Sequence, residues 1–498
     1  MKKIITITTI ILLITTLLLT ITACAVEESG NIPESTVGTK PDETTAAVQE
    51  YESPGVNYNN AVITIGAADH TKDNYAIVWS VENYCDAYAS EQNGDPINDA
   101  LYLRNQRVED ELGVIINAYN LGTFVTNGDN LQKLIMSADN AVDIAFMSGN
   151  HISKFMGTDM VLDLKSIPNV DFSHSWWDQK SVNEYDLFGT MAIVTGDINL
   201  NSNFAQVVYF FNKQLADDFK LENIYDIVRN GSWTYPKMME MCRTVAHDIN
   251  GDGIIDVDDC FGLMAEGASV VMAVISGGVR LTTKDSEGVP QITVNTQRTA
   301  DLVQMIIPFM MDKNTNILAS NYVSKYKSPF ADLMVPTFID NRALFFSNQL
   351  LIGMEFRRMD GDFGILPSPK YDAAQDNYYN ILSNYWATYI MIPTTSNKTD
   401  MAGHVLDAMG YYSQQYVTPA YIDTTVMNKT LRDEDSAEMM HIIFGSRYFD
   451  LATVYNWGGI YGMFGSMIGA NNTNFASEFA KIETRIRSEI DKTVEMLR

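Results

Sequence analysis

The sequence has 498 residues, of which 46% are hydrophobic and 11% aromatic, so it suits two or three folded domains and is too apolar for a disordered chain. Asp and Glu outnumber Lys and Arg by 62 to 34, which gives a formal net charge of −28. Because an acidic surface repels polyanions, this balance argues against nucleic acid and anionic lipid headgroups as partners.

The first 23 residues have the order of an export signal. Lys2 and Lys3 precede an apolar, threonine-rich run, and small residues follow before Cys24. The ending ITAC resembles the lipobox of bacterial lipoproteins, which implies cleavage before Cys24 and a lipid on its thiol. An ordinary secretory signal with an incidental cysteine is the alternative. We therefore expect a protein on the extracellular face of the cell membrane that touches the membrane through its lipid anchor only.

Residues 24–60 are rich in Glu, Ser, Thr and Pro and poor in large apolar residues. Such a segment buries too little surface to offset the entropy lost on ordering it. The sequence therefore predicts a flexible tether, with the folded body beginning near Ala61.

Strand and helix patterns alternate along the body. AVITIGA (61–67), GVIINAYN (113–120) and VDIAFM (142–147) predict strands with helical segments between them, and the pattern restarts beyond Thr195 with FAQVVYFFN. Strands separated by helices predict mainly parallel sheets whose binding sites lie in loops at the carboxyl ends of the strands. We expect two α/β lobes.

Several motifs in the body follow one another in the order found in extracellular solute-binding proteins of ABC importers. They are VDIAFMSGN, LDLKSIPNVDFSHSWWDQ, VVYFFNKQLADDF, GSWTYPKMMEMCRTVAHDINGDGIIDVDDCFGL, NRALFFSN and DFGILPSPKYD. The chain resembles the carbohydrate-type group that includes maltose-binding proteins, over about residues 61–457. This resemblance implies a two-lobed, periplasmic-binding-protein-like fold of type II, with a hinge between the lobes and a helical C-terminal region.

The resemblance also implies an organisation and a function. Residues 61–197 and 376–430 would form lobe 1, and residues 198–375 and 431–498 would form lobe 2. A monomer of this kind captures a sugar or oligosaccharide between its lobes and delivers it to an ABC permease, without being an enzyme. A peptide or other polar solute, a surface glycan adhesin and a glycosidase stay open as alternatives. The sequence holds no metalloprotease, Gly-x-Ser-x-Gly or phosphate-loop motif.

Sugar binding requires planar polar groups for the hydroxyls, and three places in the sequence offer them. One is the loop VENYCDAYA, another is the SGN that ends a buried strand and faces the cleft in related proteins, and the third is the crossover TGDINL, where Gly196 fits a hinge. The polar candidates are Asn83, Asp86, Ser148, Gly149, Asn150 and Asp197.

Aromatic rings cover the apolar face of a sugar, so the six tryptophans are candidates as well. Trp386 and Trp457 are favoured, because Trp386 lies just before an apolar strand and Trp457 lies between an asparagine and two glycines. Trp233 opens a helix and is expected in the core.

The stretch DINGDGIIDVDD (248–259) has the spacing of a calcium-binding EF-hand loop, with Gly253 at the turn. The predicted oxygen ligands are Asp248, Asn250, Asp252, the carbonyl of Ile254, Asp256 and Asp259. A single loop ending in Asp suits a structural brace rather than a sensor, and an acidic turn without an ion is the alternative. Cys242 and Cys260 flank the loop, either bridged or as buried thiols.

Overall fold

The computed structural model describes residues 51–68, 86–423 and 434–498, which all lie in the unit formed by residues 49–498. The strands in these ranges are β1 (Ala61–Ala67), β2 (Val114–Asn120), β3 (Ile144–Ser148), β4 (Val207–Asn212), β5 (Phe261–Ala265), β6 (Thr282–Lys284), β7 (Pro290–Ile292), β8 (Asn316–Leu318), β9 (Ala343–Gln349), β10 (Phe363–Leu366) and β11 (Thr388–Met391).

Helices connect and cover these strands. They are α1 (Pro96–Leu112), α2 (Asn127–Met136), α3 (Gln179–Tyr185), α4 (Leu200–Phe204), α5 (Lys213–Asp218), α6 (Ile224–Arg229), α7 (Tyr235–Val245), α8 (Ser269–Ser276), α9 (Gln297–Met311), α10 (Val335–Ile339), α11 (Thr399–Tyr412), α12 (Thr418–Tyr421), α13 (Glu434–Gly445), α14 (Leu451–Tyr455), α15 (Ile460–Gly469) and α16 (Phe475–Leu497).

Helix α1 shows how local sequence sets the limits of an element. The Asp95 side chain accepts hydrogen bonds from the backbone N–H groups of Ile97 and Asn98, and Pro96 follows at the first helical position. The helix ends where Gly113 adopts a left-handed conformation with φ of 61°. These caps set the limits of the helix at Pro96 and Leu112.

Two sheets organise the two lobes. Sheet 1 has the order β11-β3-β1-β2, and sheet 2 has the order β10-β4-β9-β5-β8. In sheet 1, β1 runs parallel to β2 and β3, and β11 is antiparallel to β3. In sheet 2, β5 runs parallel to β8 and β9, whereas β4 is antiparallel to β9 and β10. The α/β architecture predicted from the sequence is confirmed, but the prediction of mainly parallel sheets is wrong for sheet 2, where two of the four strand pairs are antiparallel.

Sheet 2 is buried on both faces, which explains why its strands are continuously apolar. Val207, Tyr209 and Phe211 of β4 pack into the larger core cluster, while Val208 and Phe210 pack into a second cluster on the opposite face. This division follows directly from the two-residue period of a strand. The core therefore holds sheet 2 from both sides and fixes where its strands end.

The chain passes between the two sheets at 205–207 and returns at 381–383. Gln206 and Leu382 form an antiparallel bridge, the Val207 N–H donates to the Ile381 carbonyl (3.0 Å), and the Ser383 N–H donates to the Ala205 carbonyl (2.8 Å). This passage lies beyond Gly196, where the sequence suggests a hinge. A side chain at Gly196 would collide with the Trp176 carbonyl, so close packing accounts for this glycine.

The region after β11 is helical, as expected. Helices α11 and α12 pack against α1 beside sheet 1, α13 packs on β10 of sheet 2, and α16 packs against α9 and α15. Within the described ranges, no helix combines the length and apolar character needed to cross a membrane.

Candidate functional site

A cavity of about 310 Å³ is lined by residues from both sheets. Phe124, Tyr385 and Trp386 come from loops at sheet 1, after β2 and before β11. Glu266 and Ser269 follow β5, and Ser347, Asn348 and Gln349 end β9, all in sheet 2. Val207 and Ser383 come from the two passages between the sheets, and the remaining lining residues are Gly267, Ala268, Met272 and Phe330. Ligand sites of α/β proteins commonly occupy this position beyond the carboxyl ends of strands.

Aromatic rings form the wall on the side of sheet 1. The rings of Phe124 and Trp386 stack with their centroids 5.6 Å apart and an interplanar angle of 28°. Tyr385 meets Phe124 edge to face at 6.5 Å and keeps 47% of its surface exposed. A flat, partly exposed aromatic surface of this kind can stack on the apolar face of a ligand ring.

The loop after β3 supports this aromatic wall from behind. The Asn150 N–H donates to the Asn384 carbonyl (2.7 Å), and the Gly149 N–H donates to the Ala387 carbonyl (2.9 Å). A ring nitrogen of His151, Nε2, lies 2.8 Å from the Phe124 carbonyl oxygen. These bonds fix both loops that carry the rings.

Polar groups form the wall on the side of sheet 2. The Asn348 side-chain amide donates to Oε2 of Glu266 (3.2 Å), and the Gln349 amide donates to the Ser383 hydroxyl (3.1 Å). Burial raises the pKa of the Glu266 carboxyl, and the bond from Asn348 opposes that rise. The cavity therefore has an aromatic wall opposite a hydrogen-bonding wall.

Solved structures with this architecture are known, although no protein-family model and no curated protein matches the sequence. An ABC substrate-binding protein from Listeria monocytogenes in complex with cycloalternan superposes with a TM-score of 0.56 at 12% identity, covering 88% of this chain and 99% of that one. The maltose/maltodextrin-binding domain from Bdellovibrio bacteriovorus bound to maltotriose gives 0.51 at 12% identity, covering 88% and 98%. The chain has the fold of ABC solute-binding proteins.

A third solute-binding protein broadens the range of ligands found with this fold. UgpB from Mycobacterium tuberculosis, in complex with glycerophosphocholine, gives a TM-score of 0.55 at 14% identity, covering 80% of this chain and 96% of that one. The fold predicted from the ordered motifs is thus confirmed. At such low identity, the chemistry of the ligand has to be argued from this chain's own cavity.

Among the predicted contact residues that the structure describes, Trp386 lines the cavity and the others lie elsewhere. Ser148 is buried and accepts a hydrogen bond from the Asn127 amide (2.9 Å). Gly149 and Asn150 lie behind the aromatic wall, where an added Cβ at Gly149 would come within 2.9 Å of the Asn384 carbonyl. The backbone of this strand end hydrogen-bonds to the loop that carries Tyr385 and Trp386.

Two predicted acidic contacts form hydrogen bonds within the protein. Asp86 is buried, accepts the Asn201 N–H (2.8 Å) and is hydrogen-bonded to the Thr388 hydroxyl, so it ties α4 to β11. Asp197 accepts the Thr418 hydroxyl (3.0 Å) and the Gln414 amide (3.2 Å). Burial raises the pKa of Asp197 to about 6. Neither carboxylate lines the cavity, and Asn83 falls outside the described residues.

Trp457 belongs to the core rather than to the cleft. It is 3% exposed, stacks on Tyr455 with centroids 4.6 Å apart, and donates from its indole N–H to the Thr493 hydroxyl (3.0 Å). The glycines beside it do form a turn, but α16 folds over that turn and buries the ring. Trp233 is fully buried and donates to the Pro367 carbonyl (2.8 Å), as predicted.

The residues of the polar wall were not predicted from the sequence, although the sequence pattern that marks them is present. Glu266 comes directly after the buried run FGLMA of β5, and Asn348 lies at the end of the buried run of β9. A polar residue at the carboxyl end of a buried strand is the pattern that pointed to the end of β3. The same pattern at β5 and β9 identifies both positions.

A second cavity of about 800 Å³ lies beside α3 and β6. Two of its lysines bind backbone carbonyls: Lys180 donates to the Gly445 carbonyl (2.6 Å) and Lys284 to the Asn183 carbonyl (2.7 Å), whereas Nη1 of Arg280 is buried without a hydrogen-bond partner in the described residues. The guanidinium of Arg280 lies 3.8 Å from the centre of the Tyr448 ring. The smaller cavity is lined from both sheets, with aromatic rings on one side and polar groups on the other, and is therefore the better candidate for a solute site.

The acidic loop at 248–259 is held by its own backbone. Asp248 accepts the N–H groups of Gly251 (2.6 Å) and Gly253 (2.7 Å), and Asp259 accepts those of Ile249 (2.9 Å) and Asp256 (2.8 Å). These bonds, led by that from Asp256, lower the pKa of Asp259. The oxygen donors suit calcium, but no group of three or more His, Cys, Asp or Glu side chains is gathered for a metal within the described ranges. The calcium site stays a prediction.

The two cysteines beside this loop are free thiols. Both are buried, and burial raises the pKa of Cys260 to about 11. His247 and Cys260 instead join the two ends of the loop through a pair of backbone hydrogen bonds (3.1 and 3.2 Å).

Proposed function

We propose that the protein is an extracellular, lipid-anchored solute-binding protein that captures a sugar or oligosaccharide and delivers it to an ABC permease. The observation that carries the proposal is that one cavity is lined both by the stacked rings of Phe124 and Trp386 and by the polar side chains of Asn348 and Gln349. A sugar ring needs both an aromatic face and planar polar partners. Cycloalternan and maltotriose bound to structurally similar proteins support this choice of ligand class.

The test is a thermal-shift screen with mono- and oligosaccharides, short peptides and other polar solutes, followed by calorimetry. A sugar that raises the melting temperature and binds with one-to-one stoichiometry supports the proposal. Stabilisation by peptides or a phosphodiester alone would refute sugar binding and favour a polar-solute binding protein, for which the complex of UgpB with glycerophosphocholine is the precedent.

Binding without turnover separates this function from that of a glycosidase. After incubation with excess protein, the bound sugar should be recovered unchanged by chromatography. A glycosidase would shorten it, because two carboxylates near the glycosidic bond suffice for hydrolysis.

The proposal includes a lipid anchor at Cys24 and a calcium ion bound by residues 248–259. The sequence ITAC supports lipidation of Cys24, which would hold the folded body near the permease. The spacing of 248–259 supports one structural calcium ion, with a Kd on the order of 10⁻⁴ to 10⁻³ M as in other extracellular loops of this kind. We expect the purified protein to be a monomer, which light scattering can check.

A further inference from the structure

Glu266 has an oxygen without a partner in the solute cavity. Its Oε2 accepts the Asn348 amide at 3.2 Å, while the described part of the chain gives Oε1 neither a hydrogen bond nor an ion pair. Glu266 is half-buried at the carboxyl end of β5, so the cavity is the space to which this oxygen is open.

Within the part of the chain that the structure describes, no cation pairs with this carboxylate. Among the described residues that line the cavity, none is Lys, Arg or His, and Glu266 is the single charged side chain. Removing a carboxylate from water without a counter-charge is costly, and burial raises the pKa of Glu266 for that reason. The hydrogen bond from the Asn348 amide opposes that rise and favours the ionised form.

The opposite wall also favours positive charge. Aromatic faces attract cations, tryptophan most strongly, and Trp386 lies there with Phe124 and Tyr385. The net charge of −28 adds a long-range field that concentrates cations near the protein. A neutral hexose would use the stacking surface but leave the carboxylate without a counter-charge.

We propose that Glu266 selects solutes with an ammonium group, so that the preferred ligand is an amino sugar, or an oligosaccharide that contains one, rather than its neutral counterpart. The sugar ring stacks on Trp386 while its ammonium pairs with the open oxygen of Glu266. This inference rests on the proposed sugar-binding function and specifies its substrate class.

Calorimetry with matched sugars tests the inference. The probes are glucosamine, N-acetylglucosamine and glucose, and the corresponding β-1,4-linked tetrasaccharides. These three sugars differ only at carbon 2, so a difference in Kd reports the amino group. We expect the free amine to bind at least about tenfold more tightly than the neutral forms at low ionic strength, and this advantage should shrink with added salt.

The variant Glu266→Gln keeps the shape and one acceptor but removes the charge. It should lose the preference for the amine, so that the ratio of the Kd values for the neutral sugar and the amine falls to about one. Glu240→Gln, an exposed position on α7, removes a charge away from the cavity and should leave the preference intact. Thermal unfolding of both variants checks that they fold.

Each outcome decides a different question. Neutral sugars that bind as tightly as the amine would overturn the cationic preference and leave sugar binding in place. A preference for the amine that survives in Glu266→Gln would overturn the role of Glu266. If none of the sugars binds while peptides or phosphodiesters do, the proposed function itself fails.

Discussion

Trp386→Ala is the sharpest test of the solute cavity. The indole stacks on Phe124, with centroids 5.6 Å apart, is half-buried and lines the cavity, so we expect a bound ligand to contact it. Loss of one stacking contact costs about 1–3 kcal/mol, by analogy with rings that stack on nucleic-acid bases. Calorimetry with the sugar found in the screen should therefore show a Kd about tenfold to a hundredfold weaker.

Two further variants separate binding from folding. Trp386→Phe keeps an aromatic face and should retain most of the affinity. Trp457→Ala removes a ring that is 3% exposed, so it should lower the free energy of unfolding by about 3–5 kcal/mol while the folded fraction binds normally. If Trp386→Ala binds like the wild type, the ligand does not stack at this wall and the assignment of the cavity is wrong.

Three more predictions concern other parts of the chain. Calcium should raise the melting temperature, and Asp252→Ala should abolish that rise. If a chelator does not change the melting temperature of the wild type, the loop at 248–259 is an acidic turn that binds no calcium. Cys24→Ala should be released or unprocessed, and fractionation that finds it still anchored would refute lipidation. Burial raises the pKa of Asp197 to about 6 from about 4 in the unfolded chain, so its stabilising contribution is complete below pH 4 and is lost as the pH rises through 6. Asp197→Asn should therefore reduce the difference in the free energy of unfolding between pH 4 and pH 7 by at most about 3 kcal/mol. Chemical denaturation that gives the same difference for the variant and the wild type would contradict this prediction.

The strands were predictable because each is set by short-range pattern. Apolar runs predicted β1 over its full length and placed β2 and β3 within two residues of their observed starts. The position at which the chain passes between the lobes was harder to predict from the sequence. Its position depends on hydrogen bonds between the segments 205–207 and 381–383, which are far apart in the sequence.

The site residues likewise divide into those whose position follows from local sequence and those whose position depends on distant contacts. Trp386 precedes a strand of sheet 1, and its position at the cleft followed from that local context. Trp457 has equally loop-like neighbours, but its exposure is decided by Thr493 and the rest of α16, more than thirty residues later. Asp86 and Asp197 carry polar side chains in loops, and only the folded chain shows that Thr388 and Thr418 already occupy them.

Val207 and Ser383 lie on the two backbone segments that join the lobes, and both also line the cavity. Solute-binding folds close by rotation about such connections. A solute resting on these residues would therefore touch the axis of that rotation, where a small displacement of backbone becomes a large movement at the rims of the lobes. The size of the solute where it contacts Val207 and Ser383 would then set the angle between the lobes in the closed state. A permease that recognises this angle could reject a ligand that binds tightly but holds the lobes too far apart.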